Sequence, residues 1–203
     1  MDLKFTEEQN ILRDMVKSIV TDHSSTAVVR EMEHDEIGIP ASLWEQMTET
    51  GLLSIMLPEE HGGMGLSLLD CALIYEELGR GLAPGPHFVS SVISVAAISK
   101  GGSPAHKEDN LPAIGSGDLI VAPAWLEPDN GFGPQGVQMR AVADGDSFTL
   151  SGVKRHVFYA KAAHKFLVLA RTGDAEDAVD LFLVDADADG IALEQQQSMA
   201  YDT

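Results

Sequence analysis

The sequence predicts an α+β fold, with an all-helical domain at residues 1–115 followed by an antiparallel β-barrel-like domain at 116–203. Apolar residues recur at helical spacing through the first half, whereas short β-branched and apolar runs bounded by turn residues fill the second. Strands do not alternate with helices, which argues against a Rossmann-type core.

Thr6 and Gln9 have capping-box spacing, and Leu12, Met15, Val16 and Ile19 follow on one helical face. A second helix is expected after Pro40, with Ser42 and Glu45 as its box, burying Leu43, Trp44 and Met47 and stopping at Gly51. Ser67 and Asp70 open a third, apolar nearly all round from Leu68 to Leu78 and so expected to be central and buried until Gly79 ends it. A fourth runs from about Val89 to Ile98. Beyond the turn-rich stretch Gly115 to Asp118, strands are expected at 119–122, 137–143, 147–151, 166–170 and 179–184. Asp144-Gly145-Asp146 joins two of them as a hairpin turn.

Composition narrows the function classes. Hydrophobic residues make up 44% and mean hydropathy is +0.00, as in ordinary globular proteins. No apolar run approaches the ~20 residues of a membrane-spanning helix, so no membrane insertion is expected. The first residues show no secretory pattern, and Cys71 is the one cysteine, which fits a reducing, cytoplasmic setting. A net charge of −19 repels nucleic acid. Against that background, Arg140, Lys154, Arg155, Lys161, Lys165 and Arg171 lie in a stretch with only Asp144 and Asp146. These cations are either a solvated strand edge or a docking surface for phosphates.

Several motifs fail on inspection. Asp185, Asp187, Asp189 and Gly190 have the spacing of half a calcium loop, but Gln196 stands where a bidentate Glu is needed. His61-Gly62-Gly63-Met64-Gly65 lacks phosphate-loop spacing and reads as a tight turn. The histidines and Cys71 show no metal-ligand spacing, and no nucleophile signature is present.

Whole phrases carry more. Residues 44–86, WEQMTETGLLSIMLPEEHGGMGLSLLDCALIYEELGRGLAPGP, are similar to the W-x6-G-L-x5-P-E-x2-G-G-x-G and E-E-x-G-R phrases of the acyl-CoA dehydrogenase family. LPAIGSG (111–117), AWLEPDNGFG (124–133) and LSGVKRHVFYAKAAHKFLVLAR (150–171) resemble three further family phrases in the family's order. The resemblance implies a helical domain, a central β-domain and, beyond Thr203, a helical bundle. It also implies FAD as cofactor, an acyl-CoA thioester as substrate, homo- or heterotetramers, and an electron-transfer flavoprotein as electron acceptor. The implied reaction is α,β-dehydrogenation: a carboxylate removes the α-proton and the β-hydrogen leaves as hydride. The family carries that carboxylate in the bundle. No catalytic residue is therefore assigned among these 203, and alone they are expected to be inactive.

The resemblance places cofactor contacts at Trp125, Leu126, Glu127, His156, Val157 and Phe158, and substrate contacts at Gly131, Phe132 and Gly133. Glu127 and Pro128 are expected to shape their loop. Matched position by position, Leu126 and Phe158 replace family threonines, Phe132-Gly133 a Ser-Asp pair, and His156 the aromatic that covers the flavin. Each change removes a hydroxyl or the large ring, while backbone N–H groups and a stacked His156 remain available. Two alternatives stand beside the dehydrogenase subunit: a non-catalytic partner in a heteromer, and a flavin monooxygenase of the same fold.

Overall fold

Thr6 opens α1 (Glu7–His23): its hydroxyl accepts from the Gln9 N–H, and the Gln9 side chain accepts from the Thr6 N–H. That reciprocal pair satisfies two backbone donors where the helix has no internal partners for them. The computed structural model describes residues 4–128, 131 and 133–196, and the chain divides into the units Met1–Leu119 and Ile120–Thr203.

In the first unit α1 is followed by α2 (Thr26–Met32), α3 (Ala41–Glu49) and α4 (Leu68–Arg80). Ser67 and Asp70 form the box expected at the start of α4, and Gln9 Nε2 donates to Asp70 Oδ1 at 3.0 Å, tying the caps of α1 and α4 together. The hydroxyl of Ser67, then the Gln9 amide, hold the Asp70 carboxyl below its ordinary range. The predicted Ser42–Glu45 box does not form. The helix begins directly after Pro40, two residues earlier than a Ser42 cap would allow, so Ser42 already lies inside its first turn. Burial of α4 is a stripe rather than the full circumference expected. Cys71, Leu73, Ile74 and Leu78 are buried, whereas Leu68 and Leu69 are exposed on the first turn. The helix also runs past Gly79 to Arg80.

The predicted helix over Val89–Ile98 is two pieces, a π-helical segment (Phe88–Ser94) and α5 (Val95–Gly101). The wider winding is supported by Ser94 Oγ, which donates to the Val89 carbonyl at 2.8 Å. Sequence patterning missed α2 and α6 (Pro104–Gly115): the first buries no side chain and the second contains Pro112. The core of this unit gathers Val16, Leu43, Leu52, Leu53, Ile55 and Ile74, each at most 1% exposed. Every such fully buried aliphatic contributes about 1.5–3 kcal/mol by leaving water.

The second unit is a five-stranded sheet of β1 (Val121–Ala124), β2 (Arg140–Asp144), β3 (Ser147–Ser151), β4 (Lys165–Arg171) and β5 (Val179–Asp185). The β2–β3 hairpin turns through Gly145-Asp146, with Asp144 opposite Ser147 and Gly145 at φ 61°. β4 and β5 pair antiparallel from Lys165↔Asp185 to Arg171↔Val179. The sheet is nonetheless mixed, which corrects the antiparallel barrel expected. β1 runs parallel to β4 from Val121↔Lys165 to Ala124↔Val168, and β2 meets β4 in parallel at Arg140↔Arg171. Local strand patterns carry no pairing direction. The long β1-to-β4 connection, with a hairpin in place of a crossover helix, allows parallel pairing.

A strand has two hydrogen-bonding edges. β5 takes one edge of β4 along its length, so β1 and β2 share the other, and the sheet does not close. Phe148 of β3 still meets Phe182 of β5 edge-on, with ring centroids 5.1 Å apart. Several strand spacings of ~4.8 Å would separate those rings in a flat sheet, so the hairpin leans over the β4–β5 face. Met139, Ala141, Phe166, Val168 and Ala170 fill the space beneath it.

Candidate functional site

The segment that follows β1 and the segment that precedes β4 are joined. Arg155 N–H donates to the Leu126 carbonyl at 2.8 Å, a backbone bond between residues far apart in sequence. One residue to the side, Lys154 Nζ donates to Glu127 Oε1 at 2.7 Å, to the Trp125 carbonyl at 3.4 Å and to the Leu169 carbonyl of β4. The Glu127 carboxylate also accepts from the backbone N–H groups of Gln138 at 2.9 Å and Met139 at 3.0 Å. Lys154 and Glu127 side chains are 7% and 6% exposed. Burial works against ionisation of Glu127. The Lys154 bond, the two backbone donors and the lysine charge outweigh it and hold the carboxyl below its ordinary range.

Around this buried pair several of the other expected contact residues turn outward. Trp125 is 39% exposed, Phe158 is 40% exposed, and His156 lies exposed between Lys154 and Phe158. Leu126 is half-buried, and Val157 packs on the core of the sheet unit. His156 and Tyr159 both have left-handed backbones, φ 56° and 55°, which residues with a Cβ rarely adopt outside positions fixed by their surroundings. Gly131 and Gly133 are exposed, Gly133 at φ 100°, while Phe132 lies outside the described residues. The Glu127 carboxylate faces inward onto Lys154 and is 6% exposed.

Arg171 is placed by the sequence only among the clustered cations, and its structural role is missed there. It is 9% exposed, and its guanidinium donates to the carbonyls of Val137 at 2.9 Å, Ala175 at 2.7 Å and Pro134 at 2.6 Å. It thereby holds the turn Pro134–Gly136 and the connection after β4. Its place at the end of the apolar run FLVLA was the one available signal of burial. Arg140 pairs with Asp174 at 3.2 Å and Lys165 with Asp185 at 3.3 Å. Of the clustered cations, Lys154 and Arg171 are buried on internal partners, while Arg140 and Lys165 are paired with acids at the surface, which weakens the phosphate-docking surface the sequence allowed.

Comparison with known proteins follows the same division of the chain. Residues 6–118 match the family model "Acyl-CoA dehydrogenase, N-terminal domain" and residues 122–203 match "Acyl-CoA dehydrogenase, middle domain". The chain is 29% identical to the probable acyl-CoA dehydrogenase YngJ of Bacillus subtilis, over 95% of its own length and 52% of that protein. It is 31% identical to acyl-CoA dehydrogenase FadE27 of Mycobacterium tuberculosis, over 95% of the chain and 50% of the relative. Among solved structures, the ChsE4–ChsE5 complex of M. tuberculosis superposes with a TM-score of 0.84 at 31% identity, covering 97% of this chain and 52% of the other. The chain therefore spans about half the length of the relatives it matches.

Proposed function

Because the chain belongs to the acyl-CoA dehydrogenase family, we propose that it supplies the helical and middle domains of an FAD-dependent dehydrogenase acting on an acyl-CoA thioester. The observation that carries this reading is the joining of Trp125–Glu127 to Lys154–Phe158 by the Arg155–Leu126 backbone bond. It brings the two segments with cofactor-contact phrases into one wall.

The residues of that wall fit a flavin by ring contact. Exposed Trp125, His156 and Phe158 offer flat apolar faces, while Leu126 and Phe158 supply no side-chain hydroxyl. Polar contact falls to backbone N–H groups of the same segments. FAD, when bound, would accept the β-hydrogen of the acyl group as hydride. This chain would orient the ring and the thioester and keep water from the apolar side of the wall. Glu127 takes no proton in this scheme, since its oxygens are held by Lys154, Gln138 and Met139. The α-proton would pass to a carboxylate in a further helical domain, electrons would leave to an electron-transfer flavoprotein, and the working assembly would be a homo- or heterotetramer.

The missing hydroxyls at 126 and 158 favour a second reading, a partner subunit with weakened flavin contacts inside a heteromer. The ChsE4–ChsE5 neighbour is a complex of two components. The complete polypeptide, purified alone, separates the two. Bound FAD and turnover of a linear, branched or steroid-side-chain acyl-CoA with an artificial electron acceptor support the enzyme. Flavin-free protein inactive on all three points to the partner subunit. If the wall faces flavin, Phe158→Thr tightens FAD binding; unchanged affinity in that variant counts against the wall.

A further inference from the structure

We propose that Glu127 and Lys154 are positioning residues: their buried pair locks the two site segments together and holds His156 in its left-handed conformation. This rests on the functional reading above and assigns two residues to the preparation of its wall.

Contacts from four segments converge on the pair. Lys154 Nζ reaches the Glu127 carboxylate, the Trp125 carbonyl and the Leu169 carbonyl, and Glu127 takes the N–H groups of Gln138 and Met139. The pair thus links the segment after β1, the segment before β4, β4 itself and the approach to β2. Stability alone does not call for this device. Burying two charges costs much of what their attraction returns, and an apolar pair of similar volume often serves as well or better. An apolar pair cannot, however, fix the positions of two carbonyls and two N–H groups at once.

The local backbone supplies a use for that rigidity. His156 sits two residues beyond Lys154 at φ 56°, and Arg155 between them is bonded to Leu126. A left-handed His persists only where its surroundings over-determine it. The Arg155–Leu126 bond is one such restraint, and Lys154, anchored on Glu127, Trp125 and Leu169, is the side-chain restraint that backs it. Free of it, the segment relaxes toward ordinary backbone angles and swings the His156 ring off the wall.

Three variants of the complete polypeptide test the assignment: Lys154→Met, Glu127→Gln, and the two combined. Each single change strands a buried charge or breaks the link, so both lower the melting temperature. The double variant strands no charge, and its melting temperature returns most of the way to wild type. Two further readouts should not return with it. In flavin-free protein, hydrogen exchange at the Arg155, Gln138 and Met139 amides stays at least about tenfold faster than in wild type, because the restraint is gone. The FAD dissociation constant stays at least about tenfold higher, as misplaced binding groups are costly. Recovery of amide protection and FAD affinity together with stability overturns the proposal, as does loss of protection with FAD affinity unchanged. A wild-type polypeptide that binds no FAD instead overturns the functional reading and this assignment with it.

Discussion

Replacing Arg171 by Met removes a buried guanidinium that donates to four backbone carbonyls, three of them at short range and Glu176 at 3.5 Å. Its bonds to Pro134, Ala175 and Val137 span 2.6–2.9 Å, and the side chain is almost wholly out of water. Hydrogen bonds to a charged group are worth about 1.5–3 kcal/mol each, so the three represent roughly 4–9 kcal/mol gross. Losing the charge also recovers its desolvation penalty, several kcal/mol, and Met refills much of the volume, which leaves a net loss of about 2–4 kcal/mol. For a chain of this size each kcal/mol lowers the melting temperature by about 2–4 °C, giving a drop of about 5–15 °C. Circular dichroism melting of wild type, Arg171→Met and Arg171→Lys reads it directly. Lys keeps the charge but not the planar fork that reaches carbonyls on several sides, and so recovers less than half of the loss. Arg171→Met within ~0.5 kcal/mol of wild type, the range of an unremarkable surface change, would show that the fork holds nothing.

Two other perturbations follow from the helical unit. His87 is buried, its Nε2 bonded to the Leu52 carbonyl at 2.8 Å and its Nδ1 to the Tyr75 hydroxyl. Nε2 must carry the proton, so Tyr75 donates to Nδ1. Burial holds His87 below the ordinary histidine value of 6.5, against the opposing pull of the Leu52 bond. The unfolded chain then binds a proton that the native state refuses, so stability is full above that pH and falls as pH drops from about 6.5 toward the folded value. Urea midpoints of wild type and His87→Gln between pH 8 and 5.5 should show a steeper decline for wild type; parallel curves would refute the buried neutral imidazole. At Gly63, an added methyl group would run into the Leu57 carbonyl and side chain. Gly63→Ala should therefore cost about 1–3 kcal/mol in urea denaturation, as overpacking does, and an unchanged midpoint would contradict the close approach.

Legibility differed with the range of the forces involved. The Thr6–Gln9 and Ser67–Asp70 boxes were readable because both partners lie within one turn, and the hairpin at Asp144–Ser147 because its turn residues dictate its pairing. The π-helical winding at Phe88–Ser94 was not, since its apolar and serine residues fit ordinary helical spacing equally well. Pro112 concealed α6, because a proline in a helix interior is the usual sign of an end. The parallel β1–β4 pairing was hidden for a different reason. Each strand run shows its own period, but which strand it joins and in which direction is set by the whole sheet.

The candidate site shows the same limit in its charges. Counted along the chain, Lys154 and Arg171 belonged to a positive segment open to phosphate; in the fold each is buried, one on a carboxylate and the other on carbonyls. A cation's sequence neighbours say little about its partner when that partner is 27 residues away, as Glu127 is from Lys154. Burial also changes what such a charge can do. An exposed lysine attracts anions over a screening length, whereas a lysine held by three oxygens spends its donors on geometry. The site therefore depends less on attraction than on fixed backbone: the Arg155–Leu126 bond, the left-handed His156 and the carbonyls gathered by Lys154. For the proposed flavin wall, which would lack two threonine hydroxyls, placement of backbone N–H groups would be the remaining source of directed polar contact, and it is this placement that the buried pair would govern.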